Sequence, residues 1–235
     1  MTCLSICEHS SARTWDASPN AQQMRKVVLV TGSRDTTIAI WELLLPHGAW
    51  NMSKAIRALK AEPRVICFGH DEPITCVNVS SQLNLIASGS ADGTLVLHDT
   101  RDGHIVRAFE RTPSGSVPSW IKILDTSSRV VCACAASGAL SVHHVNGATL
   151  AKYASRHETF DACCVTRDER ILLLGNRRGD VTLRHTRDLS IRAQINVANV
   201  GVTALSTAAS DECLLVGLAD GRLCLWAPSP APAHT

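Results

Sequence analysis

Three kinds of residue in this chain could do chemistry. His143 and His144, with His157, Asp161 and His185 elsewhere, offer the nitrogen and carboxylate ligands that hold zinc. Asp35, Asp92 and Asp220 could exchange protons, and the 10 cysteines could bind metal or pair with one another. Their spacing argues against all three. Neighbouring strand residues point to opposite faces, so His143 and His144 cannot easily share one ion. No Cys-x-x-Cys pair is matched by a second, which leaves a zinc knuckle unsupported. Thr31-Gly32-Ser33 precedes a strand, not the helix a phosphate loop needs, and no Ser, His and Asp stand in strand–turn–helix order. Each aspartate sits in a tight turn whose amides can satisfy its carboxylate. The sequence therefore predicts no enzyme, no bound metal and no cofactor.

The elements behind these residues are hairpins. Leu85 to Asp99, LIASGSADGTLVLHD, places two apolar runs around a turn in which Gly93 supplies positive φ and Asp92 bonds nearby amides. The unit recurs with Asp35, Asp92, Ser137, Arg178 and Asp220 in the turn position, at intervals of 57, 45, 41 and 42 residues. Such a period, with four strands per copy and Gly69-His70 ahead of one of them, is the signature of WD repeats stacked as propeller blades. The predicted fold is all-β, a WD-repeat β-propeller. Hydrophobic residues make up 45% of the chain and aromatics only 4%, so the core must come from Val, Ile, Leu, Ala and Cys. Cysteines at strand positions read as small buried hydrophobes in a reducing cytoplasm. A net charge of +2 makes no case for nucleic acid or anionic membrane, and no apolar run approaches 18 residues.

The chain resembles the WD-repeat family at named positions. Blades of that family carry a loop His, a Ser or Thr four residues before the turn Asp, the Asp itself, and a Trp six residues after it. Here the resemblance implies a structural network of Thr31, Asp35 and Trp41 in the first repeat. In the second it implies His70, Ser88 and Asp92, with His98 in the Trp position. In the fifth it implies Asp220 and Trp226, with Val216 replacing the hydroxyl.

A closer likeness is to the C-terminal propeller of BEACH-domain proteins, the neurobeachin and beige-like anchor family. It rests on Val30 to Trp41 followed by a long insertion, Ser88 to His98 ending in His, Val145-Asn146-Gly147, and Val216 to Leu223, in that order. The resemblance implies a cytoplasmic scaffold of vesicle traffic, membrane-protein sorting or autophagy. Its partners would be other proteins, and PH-like and BEACH domains would lie upstream of the propeller.

The expected blades are about 1–70, 71–110, 117–154, 158–196 and 200–227, with a Pro/Ala-rich tail at 228–235. Surface insertions are expected at 8–26 and 46–63. The second would hold a short helix over 49–61 with Lys54, Arg57 and Lys60 along one side. The chain opens on an innermost strand and its last blade lacks an outer one. This suggests part of a seven-bladed ring, with a self-closed five-bladed ring the alternative. Two docking surfaces are conceivable. Asp99 and Arg101 resemble the box by which some WD-repeat proteins join cullin-ring ubiquitin ligases as substrate receptors. Arg177 and Arg178 belong to a basic group on blade four, with Arg167, Arg170, Arg184 and Arg187, that reads as a solvated mixed face.

Overall fold

The computed structural model describes residues 1–9, 24–46, 62–112, 115–154, 158–208 and 213–226. Regular structure among these is strand throughout, in five sheets. The first sheet is β1 (Cys3–His9), β2 (Met24–Gly32), β3 (Ile38–Pro46) and β4 (Val65–Cys67). The second is β5 (Ile74–Ser80), β6 (Leu85–Ser90), β7 (Leu95–Asp99) and β8 (Ile105–Ala108). The third is β9 (Trp120–Leu124), β10 (Arg129–Cys134), β11 (Ala139–His144) and β12 (Thr149–Tyr153). The fourth is β13 (Ala162–Val165), β14 (Ile171–Gly175), β15 (Asp180–His185) and β16 (Ile191–Asn196). The fifth holds three strands, β17 (Val202–Thr207), β18 (Leu214–Leu218) and β19 (Leu223–Trp226). In every sheet, neighbours in sequence are neighbours in hydrogen bonding. The chain divides into two compact units, residues 1–132 with 143–148, and residues 133–142 with 149–235.

Turn chemistry sets the hairpins. Gly93 adopts φ 84°, and the same turn position in the third, fourth and fifth sheets is filled by Gly138, Gly179 and Gly221, all at positive φ. In the first sheet it is Thr36, at φ 73°. A β-branched residue there is strained, and the Asp35 carboxylate holds it by accepting from the Thr37 amide (3.0 Å) and hydroxyl (2.6 Å).

Alternation builds the core. Val28, Val30, Ile38 and Ile40 of the first sheet meet Ile74, Val77, Val79 and Ile86 of the second in one buried cluster. Ala162, Ile171, Leu173 and Val181 of the fourth meet Val202, Val216 and Leu218 of the fifth in another. Glycines allow these close approaches. A Cβ on Gly32 would stand 2.5 Å from the Ile74 side chain, and one on Gly175 would stand 2.4 Å from that of Val202. The backbone also passes between sheets. The Ile74 amide donates to Ser33 O (3.0 Å), Phe160 to Ala135 O (3.4 Å) and Val202 to Asn176 O (2.9 Å). An inner strand thus starts bonded to the hairpin turn of the sheet before it.

The first insertion is shorter than its sequence suggests. β1 and β2 pair out to His9↔Lys26 and Glu8↔Val27, so residues expected in a loop from 8 to 26 are partly ladder. Likewise β3 runs to Pro46, paired with Met24. Polar side chains along this stretch hid the strand period. The helix expected over 49–61, with Lys54, Arg57 and Lys60, lies outside the described residues.

Candidate functional site

The second sheet holds the most complete polar network. Asp92 accepts from the Thr94 amide (3.0 Å) and hydroxyl (2.7 Å). The Thr94 oxygen lies 2.9 Å from His70 Nδ1, while His70 Nε2 lies 2.8 Å from Ser88 Oγ, whose single hydrogen serves that ring nitrogen and Val96 O, 3.2 Å away. His70 and Ser88 are buried and Asp92 and Thr94 half-buried, so the bonds of the imidazole and the Ser88 hydroxyl replace water that is no longer available. Burial and the neighbouring His98 push His70 down to about 4. Burial alone would raise the Asp92 carboxyl, but the bonds from Thr94 outweigh it and hold the group below its usual value. Thr94 was missed in the sequence, although a hydroxyl two residues past the turn Asp also stands at Thr37.

The residue six past the turn is Trp in the first and fifth sheets, His in the second and third, and Arg in the fourth. Trp41 donates its indole N–H to Thr31 Oγ1 (3.1 Å), within the set expected for the first repeat. His98 is fully buried but is not hydrogen-bonded to Ser88: its Nε2 lies 3.1 Å from Phe68 O and its Nδ1 has no partner among the described residues. Its ring thus pins the loop ahead of His70 and stands outside the Asp92 network. His143 is buried in a tilted contact with Phe109, ring centroids 4.9 Å apart and planes at 41°. Trp226 is 41% exposed, and Asp220 binds the amide and guanidinium of Arg222, so these two expected network residues are not joined.

In the fourth sheet the position belongs to Arg184, and this corrects its placement on a solvated face. Its side chain is 2% exposed. Nη2 donates to Glu158 Oε2 (2.9 Å), Nη1 to Leu189 O (2.9 Å), and the guanidinium lies 4.0 Å over the Tyr153 ring. Tyr153 donates its hydroxyl to the same Glu158 oxygen (2.9 Å). Gly138 permits this: the Glu158 carbonyl would be 1.6 Å from a Cβ there. The sequence did carry a signal, since Arg184 follows Arg178 by the interval separating Trp41 from Asp35.

The surface candidates are simpler. Asp99 caps its own turn, accepting from the Arg101 amide (2.7 Å), while the Arg101 side chain is 76% exposed. Arg64 reaches across to the carbonyls of Thr100 and Arg101. Asp99, Asp102 and His104 lie close together at this exposed turn. Arg177 is neutralised by Asp161 at 2.9 Å, and Arg178 is exposed, with its amide bonded to Asn176 Oδ1. All ten cysteines are free thiols, and burial beside Cys164 and Cys134 pushes the Cys163 thiol far up.

Antiparallel sheets of three or four strands, each turned by an Asp or its substitute, define a β-propeller domain of the WD type. The family model described as the neurobeachin beta propeller domain matches residues 17–230, and the chain belongs to that family. It is 30% identical to BEACH domain-containing protein B of Arabidopsis thaliana over 85% of its own length, and 29% identical to BEACH domain-containing protein lvsE of Dictyostelium discoideum over 82%. It is 28% identical to WD repeat- and FYVE domain-containing protein 4 of Mus musculus over 70%. The chain spans only 8%, 9% and 5% of those proteins, respectively. Two solved structures of computationally designed proteins share the fold. Ika8 matches with a TM-score of 0.65 at 21% identity, over 85% of this chain and 55% of that one. Ika4 matches with a TM-score of 0.60 at 22% identity, over 72% of this chain and 99% of that one. The domain is a WD-type scaffold. No helix among the described residues is long and apolar enough to cross a membrane.

Proposed function

We propose that this domain is a non-catalytic protein-interaction platform, the propeller of a BEACH-type protein that acts in the cytoplasm in vesicle traffic, membrane-protein sorting or autophagy. The observation that carries this reading is the use of the polar residues. Asp92, Thr94, His70 and Ser88 spend their hydrogen bonds on one another, holding the sheet rigid with no acid or base presented to a substrate. Rigid sheets with variable turns suit docking, because each exposed turn can change without disturbing the core. PH-like and BEACH domains upstream, and protein partners engaged through the turns, complete the reading.

The test compares the full-length protein with a version lacking this domain, by proximity labelling and by imaging a sorted membrane receptor. Loss of a defined set of neighbours, with the receptor mis-sorted, is expected. Unchanged neighbours and sorting would sink the reading.

A second reading, a substrate receptor of a cullin-ring ubiquitin ligase, draws on the exposed Arg101 guanidinium at the end of β7. Capture of a ligase adaptor by the wild type and not by Arg101→Ala would favour it.

A further inference from the structure

Lys122 differs from the described cations that carry a carboxylate partner. Arg177 pairs with Asp161, Arg184 with Glu158, Arg222 with Asp220 and Lys26 with Glu42. Lys122, half-buried on β9, makes no ion pair among the described residues. It lines a cleft of about 300 Å³ between the inner strands β1, β5 and β9. Trp120 lies two residues before it on the same face of β9 and lines the same cleft, and its indole N–H has no acceptor among the described residues.

The rest of the lining fixes the sign of the ligand. Ser5 Oγ accepts from the Val79 amide (3.3 Å) and from Asn78 Nδ2 (3.4 Å), so its own hydroxyl hydrogen is left to donate. Asn78 Oδ1, a side-chain acceptor there, is taken by the Ile123 amide (2.9 Å). No Asp or Glu among the described residues lines the cleft. Three donors, one of them charged, therefore converge on a space with its amide acceptor already used. Leu4, 49% exposed, adds an apolar wall.

We infer that this cleft binds a carboxylate, the acidic side chain of an extended segment from a protein partner. Lys122 supplies the charge, Trp120 and Ser5 donate to the carboxylate oxygens, and Leu4 with the Trp120 ring packs against an adjacent apolar residue. The inference rests on the scaffold reading and gives it a partner chemistry. A volume near 300 Å³ sits at the lower limit of ligand sites, which suits one side chain better than a cofactor.

The experiment is a two-dimensional NMR titration of the full chain, read at the Trp120 indole N–H, assigned by its loss in Trp120→Phe. The probes are a capped Leu-Glu-Leu peptide, its Leu-Gln-Leu counterpart and free glutarate. A shift with the Glu peptide, absent with the Gln peptide and weaker with glutarate, is expected. Lys122→Met should weaken the Glu peptide by about tenfold or more, the loss of one charge-assisted contact. Lys122→Arg should stay within about threefold of wild type, because it keeps charge and donor. The other indole signals report that each variant is folded. Equal shifts from both peptides, or full binding by Lys122→Met, would overturn the site. Glutarate binding as well as the peptide would overturn the partner assignment in favour of a small-anion site. A silent Trp120 signal with all three probes removes this site. The scaffold reading would still stand if deletion of the domain strips the full-length protein of its neighbours.

Discussion

The second and fourth sheets solve the same packing problem with opposite chemistry. The second buries neutral groups, an imidazole and the Ser88 hydroxyl, and runs through half-buried Thr94 to a carboxylate held by the Thr94 amide and hydroxyl. The fourth buries a full positive charge, Arg184, and answers it with a single carboxylate, Glu158, whose side chain is 53% exposed. Neutral networks lose little when water is excluded, whereas a buried cation depends on its counter-charge. The position six past the turn is thus a slot for any flat, polar-edged group, and what the slot demands of its neighbours depends on the charge put in it.

Removing His70 should be the most damaging change to this contrast. His70→Ala strips a partner from the buried Ser88 and half-buried Thr94 hydroxyls and opens a cavity, for an expected loss of about 3 kcal/mol in urea unfolding. Next comes Glu158→Ala, which leaves the Arg184 guanidinium buried with one backbone acceptor, for an expected loss of about 2 kcal/mol. Arg184→Met should cost less than Glu158→Ala, since the carboxylate it frees is already half in water. The reverse order would break the distinction between the two sheets.

Acid should separate them further. His70 is held at about 4 against an ordinary value of 6.5, and burial also lowers His98. Their unfolded forms take up protons first, so the stability they lend is whole above pH 6.5 and drains as the pH falls to about 4. The slope reaches at most about 1.4 kcal/mol per pH unit for each histidine. The fourth sheet buries no histidine among its described residues. Its lowered carboxyls, Asp168, Asp180 and Asp188, act below their ordinary value of 3.8. Hydrogen exchange between pH 6.5 and 4, corrected for intrinsic rates, should show the second sheet losing protection before the fourth. Equal loss would remove the histidines as the cause.

The smallest effect expected is a gain. Thr36→Gly relieves a β-branched residue at φ 73°, though glycine loosens the unfolded chain, for a net rise of about 0.5 kcal/mol or less. Thermal unfolding of this variant against the wild type checks it.

Hairpins and turns were legible in the sequence because they depend on neighbours: Asp92, Gly93 and Thr94 sit within three residues of one another. The first repeat's Trp41 and Thr31 were legible through the resemblance to WD-repeat blades, and they are joined by a hydrogen bond. Arg184 was not read correctly, because its partner Glu158 lies 26 residues away and a charged residue reads as solvent-facing until the slot it fills is known. His98 was found in its slot, but its bond to Phe68 O depends on how a loop passes beneath it. The Lys122 cleft left no mark in the sequence, since β1, β5 and β9 meet there only after three separate sheets have formed.

The backbone links between sheets put the repeat of the sequence out of step with the unit that holds together. Because Ile74 is bonded to the turn at Ser33, and Val202 to the turn at Asn176, a cut between sheets severs a hydrogen bond as well as the chain. A segment to be swapped between relatives should therefore be spliced inside a sheet, taking a turn together with the inner strand that follows it. Splicing at the visible ends of the sheets would leave one graft with an orphan carbonyl and its host with an orphan amide.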